Sequence, residues 1–116
     1  MPDAEAARRR EARRWLGIAD RDRAAARGCA EVRPPLLDIA AYHCQQALEK
    51  IAKGYLVLAG VPFRRTHSVD ELAGQLAQID PAIASEFTRL AWVTSWGFVY
   101  RYLAITHISD QPQGPL

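Results

Sequence analysis

The run from Leu36 to Ala59 constrains this chain most. Its composition is strongly helical, and Ala40, Cys44, Ala47, Ile51, Tyr55 and Leu58 return at steps of three and four, the spacing of one apolar helix face. Tyr42, Gln46, Glu49 and Lys53 form a second, polar stripe on the same segment. A helix that only packs does not need two glutamines, two lysines and a histidine in that order. The segment therefore predicts a long helix with one face for a core and another capable of hydrogen bonding.

Helices account for the rest of the pattern. A first helix is expected from about Ala4 to Arg27, with Ala12, Trp15, Leu16, Ala19, Arg23 and Ala26 on its inner side and Gly28 as its stop. Arg33-Pro34-Pro35 breaks the chain before the second helix, and Gly60-Val61-Pro62 ends that helix. Ser68 followed by Glu71 reads as a capping box for a short third helix ending near Gln78 or Ile79. Asp80-Pro81 reads as N-cap and first residue of a fourth helix reaching about Ala104. No period-two strand pattern occurs. Short connectors between long amphipathic helices predict an all-α, antiparallel up-and-down four-helix bundle. Its single domain spans residues 1–108, and residues 109–116 form a loose tail.

The fourth helix has more apolar surface than one core requires. Ile83, Phe87, Leu90, Thr94, Phe98 and Ile105 make one stripe, and Trp92, Trp96, Val99 and Leu103 make another. Trp92, Trp96, Val99 and Leu103 are accordingly candidates for a homodimer interface, the alternative being that they cover another element of the same chain.

Composition narrows the function classes. A chain of 116 residues has room for one core. It has no stretch of about twenty apolar residues and no secretory signal, so no membrane partner and a cytoplasmic location are expected. Cys29 and Cys44 lack metal-type spacing and read as free thiols, with a Cys29–Cys44 disulfide as the alternative. No metal site and no cofactor are expected, and phosphate-cradling glycine loops and serine-nucleophile motifs are missing. The net charge is only +2, yet nine arginines fall within residues 8–33. They form either a phosphate-meeting patch or a solvated helix face.

The run Tyr42-His43-Cys44-Gln45-Gln46-Ala47-Leu48-Glu49-Lys50, followed by Gly60-Val61-Pro62 and Thr66-His67-Ser68, resembles the HEPN domain family of small all-helical prokaryotic proteins. The resemblance covers roughly residues 10 to 107. It implies a paired domain, often the toxin partner of a minimal nucleotidyltransferase. It also implies a metal-independent ribonuclease motif, an arginine and a histidine separated by four to six residues, which falls here on Arg101 and His107 with five between.

The chemistry suits those residues. The RNA 2′-hydroxyl would be the nucleophile, His107 would move its proton, and Arg101 would hold the scissile phosphate. On a straight helix, positions six apart lie about 120° apart around the axis. Convergence therefore needs a loosened helix end or the reach of arginine. The sequence departs from the family at His107-Ile108-Ser109, which lacks the tyrosine that some relatives present for AMP addition, and at Arg101-Tyr102-Leu103, where many relatives carry proline.

The expected reading is a HEPN ribonuclease toxin held by a nucleotidyltransferase-fold antitoxin, with RNA as substrate. The alternative is a non-catalytic HEPN module that dimerises and binds a nucleotide or partner through Tyr42, His43, Gln46, Lys50, Lys53, Arg64 and Arg65. For His43, a hydrogen bond to a neighbouring helix at the core edge competes with a cleft role, and His67 is expected to order the connector before Ser68.

Overall fold

The computed structural model describes the backbone of residues 2–63 and 68–110, and the side chains of residues 3–63 and 68–95. Within them the chain is all-helical: α1 is Pro2–Glu31, α2 is Leu37–Leu58, α3 is Val69–Ile79 and α4 is Pro81–Asp110. The expected all-α four-helix class is what forms. Among the described residues, α2 touches the three other helices, and no Cα of α1 comes within 8 Å of α3 or α4.

Two kinds of packing hold α2. Toward α1 the contact is made by very small residues. Ala12, Ala19 and Ala26 are buried on α1, and Ala40, Ala47 and Gly54 are buried on α2. Each set repeats every seven residues, the period of a coiled-coil seam. Gly54 lies against Ala12 and Trp15: a Cβ placed on it would stand 3.2 Å from the Trp15 Cβ and 3.4 Å from the Ala12 carbonyl oxygen. Stepping seven residues along each antiparallel helix brings Ala19 level with Ala47 and Ala26 level with Ala40. Small side chains at these levels let the two backbones approach closely.

On its other side α2 meets a core of large residues. Ala52 and Leu56 pack with Leu72 and Leu76 of α3 and with Ala84 and Phe87 of α4. Full burial of each leucine or phenylalanine contributes about 1.5–3 kcal/mol. Val61, Phe63 and Ile79 close over this cluster. The core thus sits at the end of the molecule where α2 finishes and α4 begins.

The caps explain most boundaries. Gly60 has φ +75°, the left-handed conformation glycine adopts without a Cβ penalty. Its N–H donates to Val57 O at 3.0 Å, and the Val61 N–H donates to Leu56 O at 2.9 Å, the paired bonds of a Schellman end. Ser68 Oγ accepts from the Glu71 N–H at 3.3 Å. Asp80 Oδ1 accepts from the N–H groups of Ala82 and Ile83 at 3.1 and 3.3 Å, opening α4 immediately after α3.

Several expectations are corrected. Gly28 does not stop α1, which runs on to Glu31. The Arg33 side chain takes over the exposed carbonyls there, donating to Ala30, Glu31 and Val32 oxygens at 3.3, 3.2 and 3.1 Å. α4 extends past Ala104 to Asp110. Ile51 and Leu58 are exposed although they share the expected apolar stripe. The stripe assumed one neighbour for α2, whereas α2 divides its surface between α1 and the α3–α4 pair. On α1, Arg23 points outward, pairing with Asp20 at 3.3 Å, and Asp22 turns inward in its place, while Leu16 reaches Gly54 of α2 yet stays partly exposed.

The seam and the open surface of α1 should respond oppositely to added carbon. Gly54→Leu is expected to lose about 1–3 kcal/mol through overpacking. Gly17→Ala, where nothing lies within 4 Å of the new Cβ, should gain about 0.5–1 kcal/mol from helix propensity. Urea midpoints of the two variants check both signs.

Candidate functional site

Halfway along the α1–α2 seam the small residues give way to charge. Asp22 of α1 is flanked by two bases of α2. His43 Nδ1 lies 2.9 Å from Asp22 Oδ1, and Lys50 Nζ bonds Asp22 Oδ2. The helix supplies the geometry: His43 and Lys50 are seven residues apart, one above the other, so a single carboxylate reaches both. The Asp22 side chain is 12% exposed, those of Lys50 and His43 22% and 29%. These groups line an open cleft of about 300 Å³ together with Ile18, Arg21 and Ala25.

Burial pushes the Asp22 carboxyl up, but the Lys50 and His43 hydrogen bonds and charges together outweigh it and hold the pKa below the ordinary 3.8. A carboxylate held ionised in this way orients two bases. It does not act as a general acid near neutral pH.

The rest of the polar α2 stripe has another fate. Glu49 and Lys53 are 5% and 7% exposed. Lys53 Nζ lies 3.7 Å from Glu49 Oε1 and 5.5 Å from the centre of the Trp15 ring, a charge pair with a cation–π contact. Trp15 also meets Phe63 edge-on at 6.0 Å. Lys53 is therefore placed inside the fold, while Lys50 and His43 stand at a cleft. Tyr42 is 47% exposed and sits edge-to-face with His43 at 5.4 Å between ring centres. Gln46 is half-buried.

Arg64, Arg65 and His67 lie outside the described residues, as do the side chains of Trp96, Val99, Arg101, Leu103 and His107. The α4 backbone is helical past both motif positions to Asp110, so Arg101 and His107 stay about 120° apart around one helix axis. A loosened helix end does not bring them together. Trp92 and Val93, earlier on α4, are 61% and 54% exposed. A second cavity, about 230 Å³ between α2 and α4, is lined almost wholly by apolar side chains, Ile51, Ile83, Phe87 and Leu90 among them. It offers a reaction little to work with.

Asp22 is the site residue that sequence reasoning missed. The usable signal was its register: it lies three residues after Ala19 and four before Ala26, on the α1 face that the alanines mark as inner.

Four helices, with a second helix that has one small-residue face and one face on a large-residue core, define a small all-helical domain. The family model described as the HEPN domain matches residues 12–111, and the chain belongs to that family. No curated protein and no solved structure matches it. Among the described residues, no helix is long and apolar enough to cross a membrane.

Asp22→Ala leaves Lys50 and His43 half-buried without their acceptor and should cost about 1–3 kcal/mol. The lowered folded-state pKa of Asp22 means its contribution is fully present above pH 3.8 and is lost as pH falls through that lower folded value. Acid unfolding below about pH 4 should therefore show a smaller additional loss in Asp22→Ala than in the parent chain, followed by circular dichroism.

Proposed function

We propose that this HEPN protein is a metal-independent endoribonuclease that works as a homodimer, the toxin of a pair whose antitoxin is a nucleotidyltransferase-fold protein. The observation that carries the reading is the Arg101 and His107 pair, spaced as the family's motif and lying inside the matched segment. The unbroken α4 supports the dimer. Two positions about 120° apart on one helix are most simply collected into one cleft by the ends of two such helices. The exposed Trp92 and Val93 provide apolar surface on the same helix, continuous in spacing with Trp96, Val99 and Leu103.

In that cleft His107 removes the proton from the 2′-hydroxyl. The oxygen attacks the adjacent phosphorus, the bond to the 5′-oxygen breaks, and a second imidazole in its protonated form supplies the leaving group's proton. The planar fork of Arg101 binds two phosphate oxygens as charge builds on them. The products are a 2′,3′-cyclic phosphate and a 5′-hydroxyl. The alternative is a non-catalytic HEPN module that binds a nucleotide or partner at the cleft beside His43. The openness of that cleft and the exposure of Tyr42 favour it.

Cleavage of total RNA in excess EDTA discriminates the two. The ribonuclease reading expects cleavage to persist, cyclic-phosphate ends to appear, and His107→Ala to lose roughly a hundred- to ten-thousand-fold in rate. Arg101→Lys should also be poor, because an ammonium lacks the bidentate fork. RNA left intact by the purified parent protein would transfer the function to the binding module. Trp92→Glu should shift sedimentation from dimer toward monomer, and an unchanged dimer would remove Trp92 from the interface.

A further inference from the structure

The outward face of α1 has a composition that packing within this chain does not explain. Arg10, Arg14, Gly17, Arg21, Ala24 and Gly28 follow one another at steps of four and three, a single stripe along the side of α1 away from the alanine seam. All six are exposed. The arginines make no ion pair among the described residues, whereas Arg9 and Arg23 on neighbouring faces pair with Glu5 and Asp20. No acidic side chain interrupts the stripe. Gly17 and Gly28 each lower helix propensity by about 1 kcal/mol relative to alanine. Among the described residues α1 contacts only α2 of the helices, and nothing lies within 4 Å of a Cβ at Gly17 or Gly28 on this face.

We propose that this stripe binds the sugar–phosphate backbone of single-stranded RNA, with the cleft beside His43 as one end of the same binding track and cleavage left to the α4 motif. The three guanidinium groups sit along about 16 Å of helix and meet phosphates as bidentate donors. Glycines and alanine between them let a bulky backbone lie close to the helix. Arg21 belongs to both stripe and cleft, lining the latter with His43 and Lys50. The exposed Tyr42 ring beside His43 gives the strand's next base a surface to stack on. The charge pattern selects a polyanion. The absence of any large apolar or aromatic residue in the stripe disfavours a protein partner, whose interface would need such an anchor. The choice of RNA rests on the ribonuclease reading, while the phosphodiester chemistry of the stripe does not.

Fluorescence anisotropy tests this with a 2′-O-methyl RNA of about 12 nucleotides, which cannot be cut through its 2′-oxygen. Arg10→Gln/Arg14→Gln/Arg21→Gln should weaken binding at least tenfold and lower the slope of log affinity against log salt by about 2, at roughly 0.7 per single-strand phosphate. Arg9→Gln/Arg23→Gln should change neither. Tyr42→Ala should weaken binding at least fivefold with the slope unchanged. Gly17→Glu separates folding from binding: it should raise Tm and still weaken the complex. A triple variant that binds with parental affinity and slope overturns the proposal, as does an equal loss in the Arg9/Arg23 control. So does a triple variant that keeps the oligonucleotide but loses a co-purifying acidic protein. Binding through the stripe by a protein that leaves RNA uncut sinks the ribonuclease reading alone. Cleavage with unchanged KM in the triple variant sinks the track alone.

Discussion

The close approach of α1 and α2 is the constraint on which the remaining structure depends. Alanine at Ala12, Ala19 and Ala26 faces Ala40, Ala47 and Gly54, and a Cβ added at Gly54 would stand 3.2 Å from the Trp15 Cβ and 3.4 Å from the Ala12 carbonyl oxygen, so added carbon there forces a neighbour to give. Such a contact gains little from apolar area per residue. Its stability comes from dispersion between backbones and from length, since α1 offers 30 residues and α2 22. Because α1 contacts no other helix among the described residues, its position rests mainly on this seam, with Trp15 against Phe63 as an added contact.

A smooth seam of small residues specifies register weakly, because sliding by seven residues would pair alanine with alanine again. The Asp22 layer removes that freedom. A carboxylate flanked by His43 and Lys50 is satisfied in one register. A seven-residue slide of α1 would keep Asp22 beside only one of the two and leave the other without its acceptor in a half-buried place. Polar groups at seam positions specify arrangement more than they add stability. Here they have a second consequence: the charged layer opens a cleft at the edge of the seam, and the arginine face of α1 runs beside it. The feature that aligns the helices also sets the molecule's polar concavity.

The far side of α2 follows different rules. There Leu56, Leu72, Leu76 and Phe87 form an ordinary apolar core, and the capping groups Gly60, Ser68 and Asp80 turn the chain tightly enough for α3 and the start of α4 to pack on the same end. Asp80 contributes twice. Its Oδ1 caps α4 and its Oδ2 accepts from the Tyr55 hydroxyl at 3.5 Å, joining the α3–α4 turn to α2. α4 then continues beyond this core to Asp110, carrying its remaining length and the motif positions away from the packed end.

The amino-acid sequence by itself determined the helices, most of their ends and the family. Periodicity is a property of a single segment, and Gly60, Ser68 and Asp80-Pro81 act on backbone groups within a few residues of themselves. The match of the His43-containing run to the HEPN pattern is likewise local. What only the tertiary structure decided is which neighbour covers which face. Periodicity places Lys53 and Lys50 around the α2 axis, but it does not say that Trp15 and Glu49 enclose the first while Asp22 meets the second at an open cleft. It marks Ile51 and Leu58 as apolar without saying that α2 spends its apolar surface on two partners and leaves them outside. Asp22 became legible as a site residue only once α1 lay against α2, because its role belongs to a contact between residues 21 and 28 positions apart that no single-helix pattern contains.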